Sequence, residues 1–473
     1  MTVLAGANLA LLATFSAIGS WYALQHYFGR TSLVMAAGTG VGITLLFSAL
    51  HLLSMRSARL TLAGVLLCSS AVKITWSLVV RPVPYSDSEE FWLQATRLPQ
   101  DVLLLYDTKS PGAVLYYALV QFFFGGRLVF VYVANTLVSA LQVWLVYLTC
   151  RTMAVDATRA AVVAGVFAFM PSLIYFNGAV SSETPFLLFL LLALFFFARF
   201  IARPRIGLDL IAFSGAFGLA HLTRNNGLVL FSGTLAIACA ALWEQHGYRF
   251  VKAVQPLLVG LVTFLCVVSP QIALNLHVDG RLSLSSTPYA PYNLLTGTSI
   301  ENRGLWNQED LLACGWLGTH PLPSFESSAK ASSMAWQRIG ADPLGFFLFA
   351  FTVKMDQLFR NEIYGISSNH HYFGWRSRGF DFFSKLADGY YVVLLVASTS
   401  AMCFTLLRLR RNWMILLAPA SSLGVLHLFI NVMPRFHVPF LPVFVLALAS
   451  VLDGRRLPQG KQVQTPEAWG APR

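Results

Sequence analysis

A carboxylate-rich segment, residues 81–92, directly follows an apolar run at residues 58–80. It holds three acids, Asp87, Glu89 and Glu90, beside aromatic residues. A carboxylate at the end of an apolar run can accept a proton from a sugar hydroxyl or orient a cation, and the rings can stack on sugars or anchor at lipid headgroups. The alternative interpretation is an acidic, solvated loop end with an interfacial aromatic belt.

A lysine follows in the same polar stretch. Lys109 comes just after Asp107 and precedes a Ser-Pro-Gly break, and a short apolar run then ends at Gly125 and Gly126. A lysine fixed at such a break can hold a phosphate. The alternative is an interfacial cation whose amine snorkels toward the headgroups.

Charged residues at the ends of later apolar runs are further candidates. Glu183 heads a run, where a carboxylate caps a helix, contacts an acceptor hydroxyl or pairs with Arg224. Arg224 lies in a turn between two runs, and Arg435 and His437 open the last one. A guanidinium can grip a phosphate at two points, which favours a functional Arg435, whereas a buried structural role is favoured for His437.

Other polar residues carry weaker signals. Lys73 lies inside an apolar run and is expected to snorkel outward. The Gly-, Asn- and Trp-containing segment 293–310 suits sugar recognition, although ordinary turn chemistry is the favoured interpretation. His370 and His371 can contact an acceptor, but their spacing does not support a metal site. The sequence predicts no cofactor and leaves a divalent metal open.

The elements that position these residues are membrane helices. Of 473 residues 56% are hydrophobic and 11% charged, and long apolar runs recur near the ~20 residues that a spanning helix needs. Strand alternation is absent, so an all-α polytopic fold is expected. The net charge of +12 is spread in short clusters between the runs, which orients helices and gives no support to nucleic-acid binding. About twelve spans are predicted, at residues 4–26, 32–53, 58–80, 127–149, 157–177, 183–201, 207–222, 225–243, 253–275, 386–407, 413–431 and 434–452.

The distribution of arginine and lysine predicts the orientation of these spans. Basic clusters follow the even-numbered spans, which places both termini in the cytoplasm. The stretch 344–360 is then an interfacial or re-entrant helix, and a true crossing is the less favoured alternative. The segments that carry the candidate residues gather on the outer face, namely 81–126, 177–182, 221–226, 276–385 and 431–436.

The predicted organisation has five parts. They are two N-terminal helices (1–57), a transmembrane core with a first outer loop at 81–126 (58–275), an outer loop region with the 344–360 helix (276–385), C-terminal helices (386–454) and a cytoplasmic tail (455–473).

Several of these motifs resemble, in their order, those of the C-superfamily (GT-C) glycosyltransferases, which include the protein O-mannosyltransferases and the lipid A aminoarabinose transferases. The first outer loop is similar through Asp87 with Phe91 and Ala95, followed by Thr108-Lys109-Ser110-Pro111. Three later pieces are also similar, Val180-Ser-Ser-Glu-Thr-Pro-Phe186, Leu222-Thr-Arg-Asn-Asn-Gly227 and Pro434-Arg-Phe-His-Val-Pro-Phe-Leu-Pro442.

The resemblance implies a GT-C fold, a polyprenyl-phosphate sugar donor and inversion at the anomeric carbon. It puts Asp87 in the place of the catalytic carboxylate and Lys109 in that of a cation on the donor phosphate. The chain departs from the aminoarabinose transferases by having Thr108 before the lysine, so Asp107 or Glu89 is left to supply that carboxylate, or nothing does.

The sequence therefore predicts a hexosyl- or pentosyltransferase of the bacterial inner membrane, acting at its periplasmic face. Asp87 is the expected base, with Lys109, Arg224 and Arg435 as phosphate cations and Glu89, Asp107, Glu183 and His437 as supporting or acceptor residues. The acceptor is a glycolipid, an envelope polysaccharide or a protein. A flippase for lipid-linked sugars and a ligase that uses polyprenyl diphosphate are the alternatives; a transporter predicts ionisable pairs near the bilayer midplane, where the apolar runs have almost none.

Overall fold

The computed structural model describes residues 2–106, 110–245, 250–284, 289–316, 325–374 and 377–452, and within them every regular element is a helix. Ten of these helices are long and apolar enough to cross a membrane. They are Thr2–Arg30, Leu33–Leu52, Ala58–Val80, Leu128–Thr152, Glu183–Ala202, Asn226–Glu244, Val254–Val278, Arg378–Leu407, Arg411–Phe429 and Pro434–Leu452. The predicted all-α polytopic membrane protein is confirmed.

Two of the twelve predicted spans are shorter than a membrane helix. Residues 157–177 form two helices, Ala157–Ala168 and Pro171–Phe176, because Pro171 lacks the amide hydrogen that a continuous helix needs. Residues 207–222 form the 16-residue helix Leu208–Thr223. Another short apolar helix, Pro111–Phe124, follows the first polar loop.

The polar segments fold into short helices on the same face as the cavity described below. They are Asp87–Arg97, the 3₁₀ turn Val102–Leu105, Tyr289–Gly297, Gln308–Ala313, Phe325–Ala341, Ile363–Ser367 and His370–Phe373. The segment before the last span is also helical, with a 3₁₀ run at Pro434–Phe440 leading into Leu441–Leu452.

Aromatic packing forms much of the interior. Phe197, Phe200 and Phe213 are fully buried, and the ring of Phe213 lies edge-on to the other two at 5.5 and 5.8 Å between centroids. Large apolar side chains such as Leu60 and Leu67 are more than 70% exposed on the outside. An interior and an exterior that are both apolar are expected of a bundle whose outer surface faces lipid.

Lys73 corrects one sequence expectation. Its side chain is 1% exposed, and its amine donates a hydrogen bond to Ser139 on the neighbouring helix Leu128–Thr152, so it does not snorkel. Nearby, the Asn177 side chain donates to Ser77 Oγ at 3.1 Å and to Thr136 Oγ1 at 2.9 Å. A polar network inside the bundle therefore ties the loop before Glu183 to two membrane helices.

The stretch predicted at 344–360 is helical in three parts, Pro343–Phe349, a π-helical turn Ala350–Lys354 and Met355–Phe359. It packs into the bundle, where the Phe351 ring stacks on Phe15 at 5.9 Å. Tyr364, which follows it closely in the chain, lines the cavity described below. The re-entrant path of this stretch stays a prediction.

Candidate active site

One cavity of about 700 Å³ opens where the polar segments meet. Each of the five segments predicted to share a face contributes at least one side chain to its wall: Asp87, Ser181, Asn225, Trp306 and Arg435. Their gathering on one face of the bundle was predicted from the sequence and is seen in the structure. The volume lies within the range that small-molecule sites occupy.

Asp87 opens the first helix of the outer loop. Helix Asp87–Arg97 has three acids in its first turn, where the positive end of the helix dipole stabilises carboxylates. The preceding Ser86 has φ of 52°, in the left-handed region that is unfavourable for a residue with a β-carbon. Such strained positions concentrate at functional sites.

Arg435 meets Asp87 in the cavity. Its Nη2 donates to Asp87 Oδ2 at 2.8 Å, and both side chains are 29% exposed. The guanidinium carbon also lies 5.5 Å from the Tyr364 ring centroid and 5.7 Å from that of Phe436. Residues 348 positions apart in the chain thus bring a carboxylate and a cation together at an open site.

A smaller pocket of about 160 Å³ adjoins the cavity and shares Asp87, Glu183 and Arg435 with it. Arg224 lines this pocket and donates to Glu183 Oε1 at 2.5 Å. The guanidinium carbons of Arg224 and Arg435 lie 5.9 and 5.7 Å from the centroid of the Phe436 ring. Two cations therefore contact one aromatic ring.

Three buried polar atoms on this wall have no hydrogen-bond partner within the described protein. They are Ser181 Oγ, Asn431 Oδ1 and Arg435 Nε, and all three residues line both the cavity and the smaller pocket. Buried polar atoms are usually satisfied, so water or a polar ligand in the cavity can complete these three. Arg435 Nε is a donor and suits an anionic oxygen.

A second ionisable pair lies beneath the cavity wall. His437 Nε2 is 2.8 Å from Glu362 Oε1, and its Nδ1 donates to the carbonyl of Leu358 at 2.8 Å. The two side chains are 1% and 2% exposed, and the Tyr391 ring stacks on His437 at 4.6 Å. One proton lies between Nε2 and Oε1 whichever atom holds it, so the pair is neutral overall, as burial favours.

Several predicted residues take positions other than the cavity wall. His437 does not line the cavity and is 1% exposed, which agrees with the structural role favoured from the sequence. Glu89 is exposed, whereas its neighbour Glu90 lines the cavity, because successive helix positions point about 100° apart. Asp107 and Lys109 lie outside the described residues.

Sequence reasoning missed other side chains at the site. Tyr364 lines the cavity, and burial raises its pKa, so its hydroxyl stays protonated as a donor. Away from the cavity wall, Lys354 is fully buried and donates to the carbonyls of Gly297 and Leu428 at 2.9 and 2.8 Å, and burial holds its pKa well below the usual value. An acid, a tyrosine or a lysine in an amphipathic stretch carries no signal of the partner it meets in the fold.

No group of three or more potential metal ligands occurs among the residues that the structure describes. What the wall offers is carboxylates, guanidinia, amides and aromatic rings. That set can accept a proton, stabilise an anionic oxygen and bind a hydroxyl-rich ligand.

Comparison with known proteins gives one family match and one similar solved structure. Residues 108–273 match the family model described as dolichyl-phosphate-mannose-protein mannosyltransferase, a range that includes Glu183 and Arg224. A crystal structure of ArnT from Cupriavidus metallidurans bound to undecaprenyl phosphate is 14% identical, covers 82% of this chain and 77% of its own, and has a TM-score of 0.39. A likeness at that level does not define corresponding residues.

No curated protein sequence matches the chain. Asp87 and Arg435 lie outside the residues that the family model matches, so their pairing is a finding of the structure alone. The family match, over 166 of the 473 residues, agrees with the resemblance to the GT-C superfamily of membrane glycosyltransferases that the sequence motifs indicated.

Proposed function

We propose that the protein is an inverting glycosyltransferase of the bacterial inner membrane that moves a sugar from a polyprenyl-phosphate donor to a cell-envelope acceptor at the outer face. The observation that carries the proposal is the Asp87–Arg435 pair, half-buried in a cavity at one face of a membrane helix bundle. It unites the two groups that the reaction needs, a base for the incoming hydroxyl and a cation for the departing phosphate.

The donor phosphate fits the smaller pocket. Arg224 and Arg435 lie there, and the unpartnered Nε of Arg435 supplies a donor to a phosphate oxygen. Helix Asn226–Gln245 begins at the same pocket, where its free amides favour an anion. Lys109, which lies outside the described residues, stays a predicted third cation.

The lipid tail of the donor fits a second, apolar groove of about 670 Å³. The groove is lined by Leu228, Leu426 and Phe429, and the smaller pocket by their near neighbours in the chain Asn226, His427 and Ile430. A polyprenyl phosphate has the same order, an apolar chain joined directly to an anionic head. The groove supports a lipid-linked donor over a nucleotide sugar.

In the proposed reaction, Asp87 takes the proton from the acceptor hydroxyl as its oxygen attacks the anomeric carbon. The bond from that carbon to the phosphate oxygen breaks, and the leaving phosphate keeps the electron pair. Arg435 and Arg224 stabilise the charge that develops on it. Attack from the face opposite the phosphate inverts the configuration.

The test compares Asp87→Asn with Glu89→Gln in proteoliposomes supplied with radiolabelled polyprenyl-phosphate sugars and membrane extract. Both variants remove one acid from the same helical turn, but only Asp87 lines the cavity. We expect Asp87→Asn to lower transfer by about 10²- to 10⁴-fold and Glu89→Gln to leave it near wild type. Labelled lipid that crosses the bilayer equally in all three proteins without transfer would instead identify a flippase.

A further inference from the structure

Three aromatic rings of the outer loop region form one side of the cavity, and we name them the aromatic wall: Tyr289, Trp306 and Trp316. The Trp316 ring lies edge-on to Trp306 at 5.7 Å and 84°, and to Tyr289 at 5.7 Å and 67°. Trp306 keeps 37% of its surface exposed although it belongs to this cluster. A large, partly uncovered ring inside a cavity offers a flat apolar face to a ligand.

A small core of its own holds the aromatic wall in place. Tyr292, Leu295 and Leu311 are buried together beneath it, and Trp316 packs against them. Arg338 clamps this unit by donating to Asp310 Oδ1 at 2.5 Å and to the Leu295 carbonyl at 3.3 Å. The rings are therefore pre-positioned, which lowers the entropy cost of binding a ligand on them.

Charge separates the two ends of the site. Among the described residues that line the large cavity, three are acidic and only Arg435 is basic. Asp87, Glu183 and Arg435 line both spaces, so the carboxylate and guanidinium groups that distinguish them are Glu90 in the cavity and Arg224 in the smaller pocket. An anionic ligand group is therefore favoured in the smaller pocket over the large cavity.

Amide groups complete the polar lining of the cavity. Asn293, from the helix that carries Tyr289, and Asn431, from the segment before the last span, both line it. Asn431 Oδ1 is buried without a hydrogen-bond partner among the described residues. Amides and carboxylates bind sugar hydroxyls, while flat rings bind the apolar C–H face of the same sugar.

We infer that the aromatic wall is the acceptor subsite and that its ligand is an uncharged saccharide, whose ring stacks on the exposed face of Trp306 while one hydroxyl reaches Asp87. The inference rests on the proposed function and narrows it. It selects a neutral glycan acceptor over a peptide and over a phosphorylated glycolipid, because the aromatic wall offers stacking faces and the rest of the cavity offers three carboxylates but one guanidinium.

The experiment uses the full-length protein in proteoliposomes, with wild type, Trp306→Ala and the control Trp336→Ala. Trp336 is 56% exposed, belongs to the neighbouring helix Phe325–Ala341 and does not line the cavity. Equilibrium binding of unphosphorylated methyl glycosides and short neutral oligosaccharides is measured first by saturation-transfer NMR. Transfer kinetics follow, with a radiolabelled polyprenyl-phosphate sugar and three acceptors: the best-bound saccharide, a Ser/Thr peptide and a lipid A-type phosphoglycolipid.

We expect Trp306→Ala to raise the acceptor KM and weaken saccharide binding about tenfold, and to leave the donor KM unchanged. Trp336→Ala should match wild type in all three quantities. Saccharide binding that is lost in Trp306→Ala, without transfer from any donor, would support the subsite and overturn the proposed function. Transfer to the peptide or the phosphoglycolipid alone, a changed donor KM, or no saccharide binding by wild type would each overturn the subsite.

Discussion

Two ionisable pairs anchor the segment Pro434–Phe440, and they lie in opposite surroundings. Arg435 meets Asp87 where both side chains are 29% exposed, whereas His437 meets Glu362 where they are 1% and 2% exposed. A charge pair in contact with solvent adds little to stability and can exchange partners, while a buried pair is costly to separate. The open pair is therefore available for chemistry and the buried pair holds the backbone that presents it.

The two pairs share one backbone segment, because Arg435 and His437 are two positions apart in the chain. The 3₁₀ run that carries Arg435 and His437 also buries Pro434, Val438 and Phe440, so its path is fixed from several sides. The Glu362 amide donates to Asp388 Oδ1 at 2.8 Å, which fixes the other half of the buried pair. The buried His437–Glu362 pair, here called the inner pair, is fixed, and the open Arg435–Asp87 pair, here called the outer pair, can adapt. A rigid support of this kind can position a catalytic side chain.

Breaking the inner pair should have the largest effect. His437→Leu leaves the Glu362 carboxyl buried without its partner, and we expect a loss of about 3–5 kcal/mol in the free energy of unfolding. Glu362→Gln is the matched control, because a glutamine amide can donate to Nε2 while Nδ1 still donates to the Leu358 carbonyl. Denaturation of both variants in detergent micelles measures the difference. Equal destabilisation by the two variants would contradict this prediction, because Glu362→Gln keeps both the side-chain volume and the hydrogen bond to His437.

Breaking the outer pair should remove activity and leave the fold. Arg435→Gln is expected to lower kcat about 10²- to 10³-fold, the usual effect of removing one donor to a developing anion. Arg435→Lys should recover part of this loss, because an ammonium keeps the charge but cannot bind two oxygens in the fixed geometry of a guanidinium. Transfer kinetics and the thermal midpoint are measured together. A large drop in the thermal midpoint of Arg435→Gln would contradict the proposal that the outer pair serves catalysis and the inner pair serves stability.

The open and buried pairs also differ in how far the sequence could predict them. Apolar runs near 20 residues predicted the membrane helices, and charge bias predicted that residues such as Asp87 and Arg435 share a face. The partner of each charge was not predictable, because Glu362 and His437 lie 75 positions apart and meet only after the chain between them has folded. Lys73 was misjudged for the same reason, since its acceptor Ser139 lies on another helix. Short-range patterns define helices, and tertiary packing decides which polar groups meet.

A third pair has an exposure between those of the buried and open pairs, and it can be used to measure how burial changes the coupling free energy. Glu183 and Arg224 are 7% and 10% exposed, so their coupling should exceed that of a surface pair. A double-mutant cycle with Glu183→Gln and Arg224→Gln is expected to give about 0.5–3 kcal/mol in unfolding experiments.

The exposed pair Arg411–Glu244, with 49% and 31% exposure, is the control for this cycle. It should give less than about 1 kcal/mol, because solvent screens both of its charges. Equal coupling free energies in the two cycles would mean that burial does not strengthen the interaction between Glu183 and Arg224.

Lys354 tests the effect of burial on a single charge, through the pH dependence of the free energy of unfolding. Burial depresses the folded-state pKa of its amine, while the unfolded chain binds the proton up to its ordinary value near 10.5. Between these two values the unfolded state binds more protons, so stability should rise with pH by up to about 1.4 kcal/mol per unit. Lys354→Met should flatten this slope between pH 7 and 10 in denaturation experiments. An unchanged slope would mean that the amine stays protonated between the carbonyls of Gly297 and Leu428, a site with two oxygen dipoles strong enough to hold a buried cation.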